Sequence, residues 1–306
     1  MNRRELLFGG FAACGLLAGK GRLGRSRLSA ISDEVGASPE DAIAFAKKYG
    51  LQWLELRNVP GQKVNYFYMS PEELKPHALA FAENGIGISF LNTSLLKFGL
   101  PGTEPISRKK ETPEAREKRL PREQAMFDRR MDDLRKCIRA AQALKADRLR
   151  IFTFSRVQDP SSTFARVAEI MQPMVKLAES EGVRLLIENE SSCNVGTCAE
   201  SAAMLKLLPA KGLGMNWDAL NGFSLGEPAF PQGYALLPKD RIWNVQFKGK
   251  SILDTPDHLD WAGIAAALDR DGYGGQLGLE THYFDGTNLE KSHLAMQAML
   301  RIVGSV

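Results

Sequence analysis

Gly182-Val183-Arg184-Leu185-Leu186-Ile187-Glu188-Asn189-Glu190 decides the fold. The preceding Thr163–Glu181 carries apolar residues at helical spacing. Gly182 then supplies the residue that tolerates the left-handed backbone ending such a helix. Val183–Glu188 is a nearly continuous apolar run, the mark of a strand covered on both faces, and it finishes in polar residues. A helix, a glycine, a buried strand and a polar strand end make up one β/α joint.

The same joint recurs in both directions. Strands are expected at Leu28–Ser32, Trp53–Arg57, Ile86–Leu91, Leu149–Phe154, Val183–Glu188, Leu213–Asp218, Ile242–Lys248 and Gln276–Thr281. Helices are expected at Pro39–Tyr49, Pro71–Asn84, Arg122–Leu144, Thr163–Glu181, Thr197–Leu208, Phe230–Leu237, Asp260–Asp269 and Asn288–Val303. Gly50, Gly85 and Gly272 repeat the stop at Gly182. Ser38-Pro39-Glu40-Asp41 and Ser70-Pro71-Glu72-Glu73 place Ser at the N-cap, Pro at N1 and acids in the first turn. Strict alternation implies parallel strands joined by helical crossovers, and about eight units imply an α/β fold of one domain, a (β/α)8 TIM barrel. An open doubly wound sheet would carry a glycine-rich loop after its first strand, and Ile31-Ser32-Asp33-Glu34-Val35 has none. Two connections, Lys97–Glu123 and Asn221–Ala229, exceed ordinary loop length and lie on the strand-to-helix side, where barrel chemistry is done.

Length and composition agree. The 306 residues are 44% hydrophobic and 25% charged, which excludes a disordered or collagen-like chain, and four Cys make no disulfide framework. No apolar run reaches about 18 residues, so a multi-span membrane protein is excluded. Residues 1–27 read as an export leader: Arg3-Arg4 is a twin-arginine pair, followed by an apolar stretch from Leu6 to Ala18. That assigns 28–306 to the barrel and an exported, periplasmic location; Cys14 after Phe11-Ala12-Ala13 is a weak match to a lipid-anchor site. The leader holds six basic residues against one acid, leaving 34 basic against 35 acidic residues in the body. The excess positive charge therefore belongs to the leader and argues for no nucleic-acid partner.

Four consecutive strands end in functional groups: Glu188 and Glu190, Asn216 and Asp218, Gln246 and Lys248, Glu280 and His282. Each pair shares a face by the period of two, while Ile187, Trp217, Phe247 and Leu279 point the other way. In a barrel these strand ends form the floor of the mouth. Three convergent carboxylates, Glu188, Asp218 and Glu280, repel one another unless a cation lies among them. A divalent ion would supply it, and oxygen donors favour Mn²⁺ or Mg²⁺. The competing reading is that each acid pairs with a neighbouring Arg or Lys.

Gly182–Glu190, Leu213–Asn221, Ile242–Lys250 and Gln276–His282, with Ser32-Asp33-Glu34, Leu54-Glu55-Leu56-Arg57 and Gly61-Gln62-Lys63-Val64, resemble the xylose isomerase-like TIM barrels, the sugar phosphate isomerase/epimerase superfamily. The resemblance implies one metal ion held by Glu188, Asp218, Gln246 and Glu280. Gln246 and Gly249 depart from it, standing where His and Asp are usual, and Asn221 stands where such epimerases often carry a His behind the metal ligands. It further implies a small-molecule sugar substrate, a keto-sugar or polyol, and isomerase or epimerase chemistry through an enediolate. Glu188 and Glu280 would exchange the proton, and Lys248 would neutralise the oxyanion or else pair with Glu190. Glu190, His282, Asn221 and Trp217 would contact the sugar, with Phe223, Tyr283 and Phe284 as further stacking candidates. Export favours an unphosphorylated substrate. A lyase or dehydratase acting on a keto-sugar, keto-inositol or keto-glycoside is the alternative enzyme, and a non-catalytic carbohydrate-binding barrel the alternative outside catalysis. Apurinic-site endonucleases share the resemblance, but four His and a near-neutral body do not suit a multi-metal site on DNA.

Overall fold

A computed structural model describes residues 23–106 and 111–305. Its eight parallel strands are β1 Leu28–Ala30, β2 Trp53–Leu56, β3 Gly87–Leu95, β4 Arg148–Ile151, β5 Arg184–Glu188, β6 Leu213–Asp218, β7 Ile242–Lys248 and β8 Gln276–Glu280. They follow one another around a single sheet, with β1 paired to β8. β1 and β2 meet through the bridge Ile31–Glu55, so the barrel is nearly closed. The principal outer helices are Pro39–Tyr49, Pro71–Glu83, Arg130–Ala143, Phe164–Ser180, Cys198–Leu207, Trp261–Arg270 and Asn288–Gly304.

The expected punctuation is present. Ser38 Oγ accepts from the Asp41 amide, and Ser70 forms a reciprocal capping box with Glu73. Gly50 and Gly182, at φ of 65° and 73°, reverse the chain into their strands. Three expectations need correction. Arg122–Leu144 is two helices, Pro113–Asp128 and Arg130–Ala143, parted at Arg129. Asp132 and Asp133 lie in the first turn of the second, where acids suit the positive end of the dipole. The first begins inside the stretch read as a long loop, with Thr112 capping the Ala115 amide and Pro113 at N1. Phe230–Leu237 is not one regular helix but a wide turn, Ala229–Gly233, followed by Tyr234–Leu236, because Pro231 and Pro238 bracket it.

The expected leader falls mostly on residues 1–22, with Cys14, outside the described residues. Leu23 is buried, its amide donating to Asp269, and Arg27 donates to the Gly274 carbonyl, so 23–27 pack against the underside of the barrel. Among the described residues no helix is long and apolar enough to cross a membrane, and Cys137, Cys193 and Cys198 are buried and free.

The apolar core lies mainly between sheet and helices, where Ile187, Trp217, Phe247 and Leu279 sit. The inner wall differs. Ser29, Glu55, Arg150, Glu188, Asn216, Asn244 and Gln246 are all buried on the strands. β8 accommodates this with Gly278, where a Cβ would come within 1.8 Å of Glu55 Oε1. The strands thus enclose a polar column leading up to the mouth.

Candidate functional site

The acids of β5, β6 and β8 do converge. Glu188, Asp218 and Glu280 are buried, and each offers one oxygen within 4.8 Å of the others. Adjacent strands hold them in register: Glu188 lies opposite Asn216, Asp218 opposite Gln246, and Lys248 opposite Glu280.

Each acid also has a basic neighbour. Glu188 Oε2 accepts from Arg150 Nη1 at 2.8 Å and from Asn216 Nδ2 at 2.9 Å. Arg150 is itself buried, its Nε anchored to the Thr93 carbonyl. Lys248 Nζ donates to Glu280 Oε2 at 2.6 Å and lies 2.9 Å from Asp218 Oδ2. That second contact is an ion pair without hydrogen-bond alignment, since Asp218 Oδ2 has no hydrogen-bond partner. Glu280 Oε1 lies 3.1 Å from His282 Nδ1 and 4.0 Å from Arg57 Nη1.

These charges tune one another. Burial, opposed by Lys248 and reinforced by Glu188 and Glu280, pushes Asp218 up to about 7. Burial would raise Glu280 too, but Lys248 and His282 hold it well below the ordinary carboxylate range. Burial would lower Lys248, yet Asp218, Glu280 and Glu188 keep its ammonium well above its usual value.

Beside and beneath the cup lies a layer that the strand-end reading did not assign to the site. Glu34, in the short helix Ser32–Val35, accepts from Arg57 and from the His282 amide. Its carboxyl is raised, first by burial and then by Glu280. Glu34, Glu280 and His282 form a second cluster of close oxygen and nitrogen atoms sharing Glu280 with the first. Glu55 accepts from Gln246 Nε2 at 2.7 Å, Ser29 Oγ at 3.0 Å and Asn92 Nδ2 at 3.1 Å. Burial outweighs these donors and pushes it up to about 7.

Of the expected contact residues, Glu190 pairs with Lys97 at 2.8 Å, so Lys248 is left to Asp218 and Glu280 rather than to Glu190. The Asn221 amide donates to Asp218 Oδ1, and its side chain donates to the Asn189 carbonyl, which makes it a brace for the Asp218 loop. Asn189, unassigned from sequence, accepts from the Asp218 amide at 2.8 Å and donates to its carbonyl at 2.7 Å. His282 is half-exposed at the rim with φ of 63°, against Phe284. Trp217 has no exposure, and its ring packs on Tyr234 in the layer between sheet and helices. The alternation that points Asp218 inward turns Trp217 outward, which corrects its expected place against a sugar.

A family model described as the xylose isomerase-like TIM barrel matches residues 43–302. This chain belongs to that family. Three solved structures illustrate the likeness. D-allulose 3-epimerase from Methylomonas sp., in complex with D-allulose, is 17% identical over 92% of this chain and 98% of its own, with a TM-score of 0.65. The probable 3-DHS dehydratase of petrobactin synthesis from Bacillus anthracis is 14% identical over 89% and 98%, at 0.63. A xylose isomerase-like TIM barrel protein from Mycobacterium smegmatis, in complex with magnesium, is 13% identical over 91% and 98%, at 0.60. At such identities the likeness is one of fold. No curated protein matches the sequence.

The residues of the xylose isomerase-like cup suit a hard divalent ion. Glu188, Asp218 and Glu280 present clustered oxygens, and the buried Asp218 Oδ2 and Gln246 Oε1 lack hydrogen-bond partners. The donor set is all oxygen, with no thiolate. Gln246, opposite Asp218 in the sheet, has its nitrogen committed to Glu55, which leaves its oxygen as the free end.

Proposed function

We propose that this protein is a divalent-metal-dependent isomerase or epimerase of an unphosphorylated keto-sugar or related polyol, working through an enediolate. The observation that carries this is the buried meeting of Glu188, Asp218 and Glu280, with Gln246 opposite Asp218 and its oxygen without a hydrogen-bond partner. Glu188, Asp218, Gln246 and Glu280 would hold the ion; when bound, Mn²⁺ or Mg²⁺ supplies Lewis-acid polarisation of the substrate carbonyl.

The chain's own residues do the rest. Glu280 and Glu188 form the proton-exchanging pair: one takes the proton from the α-carbon, and the other returns one drawn from solvent at the mouth. Return to the opposite face of that carbon gives the epimer, and return to the neighbouring carbon gives the isomer. Lys248, its ammonium strongly favoured, offsets the negative charge that grows on the substrate oxygen. Glu190 and His282, with partial access at the rim, bind sugar hydroxyls. Export to the periplasm belongs to the same proposal and rests on Arg3-Arg4 and the apolar Leu6–Ala18. It favours a substrate without phosphate.

The test is incubation of the Mn²⁺-loaded protein with keto-hexoses and 3-keto-glycosides in D₂O. An epimer or isomer carrying deuterium at the reacting carbon is expected, and Glu280→Gln should cut the rate by about 10³-fold or more. Release of water or aglycone instead would make the enzyme a lyase. Unchanged binding of sugar in chelator, with no turnover, would leave a carbohydrate-binding barrel.

A further inference from the structure

Lys248 occupies the cup in a way that bears directly on the ion, an inference that rests on the metal-dependent reading above. Its side chain is buried at the end of β7, and its ammonium spans Asp218 Oδ2 at 2.9 Å and Glu280 Oε2 at 2.6 Å. Those two carboxylates belong to the cluster of three that would hold a divalent ion. The third, Glu188, is taken by Arg150 at 2.8 Å. Three negative charges therefore already face two buried positive ones, while Arg57, 4.0 Å from Glu280, is itself paired with Asp33 at 3.1 Å and Glu34 at 2.9 Å. The remaining donor, Gln246, is an amide and brings no charge. An entering divalent cation would meet three carboxylates already largely offset by two buried cations, and a lysine that draws on two of the same carboxylates. Unlike charges attract each carboxylate to either cation, but the two cations repel, and in a buried site that repulsion is weakly screened.

We propose that Lys248 is the resident cation of the ion-free cup and competes with the divalent ion for Asp218 and Glu280. Ion binding frees its ammonium from these carboxylates and turns it toward the substrate oxygen. The exchange makes the ion readily removable and leaves the ion-free protein folded.

The test is titration of Mn²⁺ into metal-stripped full-length protein by calorimetry, for the wild type, Lys248→Met and Lys248→Gln, with melting in chelator alongside. Both variants are expected to bind Mn²⁺ at least tenfold more tightly than the wild type. Without metal they should melt below the wild type, and Mn²⁺ should raise their melting temperatures more than it raises that of the wild type. Equal or weaker Mn²⁺ binding in both variants overturns the competition while leaving a metal-dependent cup in place. No Mn²⁺ binding by any of the three proteins overturns the metal reading itself and the competition with it. Should Lys248→Met not fold, the polar Lys248→Gln decides.

Discussion

The two halves of the barrel divide the work unequally. β5 to β8 carry the acids: Glu188, Asp218 and Glu280 all end strands on that side. β1 to β4 carry much of what makes those acids tolerable. Arg150 on β4 pairs with Glu188, Arg57 after β2 reaches toward Glu280, and Glu55 on β2 orients Gln246. A buried carboxylate is costly unless paired; Lys248 on β7 serves Asp218 and Glu280 from within the acidic half, but Glu188 takes its cation from the other half. The lesson is that the acids of such a cup are visible on one side, while part of their electrostatic support is built on the other.

The sharpest way to break this division is Arg150→Met. It keeps much of the side-chain volume and strands Glu188 beside Asn216 without its cation. Breaking a buried pair by removing one partner costs about 3–5 kcal/mol. Urea unfolding should show a loss of that order, and loss of turnover with it. A change under about 1 kcal/mol would mean that Asn216 and solvent suffice for Glu188.

Next comes Glu55→Gln, which tests the support directly. Glu55 is raised from an ordinary value near 4.5 to about 7. The folded protein therefore binds a proton more readily than the unfolded chain. Its contribution is fully present below about 4.5 and is lost as pH rises through about 7. At about 1.4 kcal/mol per pH unit, the loss across that window is roughly 3 kcal/mol. The variant should lack this fall, so the stability difference between variant and wild type, from urea midpoints at pH 5 and pH 8, should move toward the variant as pH rises. A pH-independent difference would show Glu55 to be an ordinary carboxylate.

How much of this was legible follows the same division. Glu188, Asp218 and Glu280 stand out because each ends an apolar run, a signal contained in a few residues. Arg150 carries no such signal. β4 reads Arg148-Leu149-Arg150-Ile151, an alternation that looks like a half-exposed strand, and its partner lies 38 residues away. Glu55 is likewise a single acid inside Trp53–Leu56, and only closure of the barrel brings Gln246 against it. The missed helix at Pro113 did have a local signal: Thr112-Pro113-Glu114 repeats the Ser-Pro-Glu starts at 38 and 70 within a stretch dominated by charge. Trp217 was a conflict between two readings, aromatic chemistry and strand parity, and parity describes where it sits.

A smaller effect sharpens the comparison within the acidic half. Asn189→Ala removes the clamp between the ends of β5 and β6 and leaves the buried Asp218 amide and carbonyl short of partners. A cost of about 1–3 kcal/mol is expected. Asp218 should also lose its fixed position, so Mn²⁺ affinity measured by calorimetry should fall together with stability.

The smallest effect lies at the rim, where neither half is buried. Phe284 is 82% exposed and touches His282 edge-on at a ring separation of 4.7 Å. It therefore contributes little to folding, and Phe284→Ala should change stability by no more than about 0.5 kcal/mol. Its ring nevertheless stands beside the residue that flanks Glu280, at the entrance to the cup. Stacking on a sugar would be worth about 0.5–1.5 kcal/mol, which corresponds to a rise in KM of up to about tenfold. Because the contact would be the same in ground and transition states, kcat should stay unchanged. A fall in kcat with constant KM would place Phe284 in the support of His282 instead, and would extend the compensating layer from the buried floor to the rim.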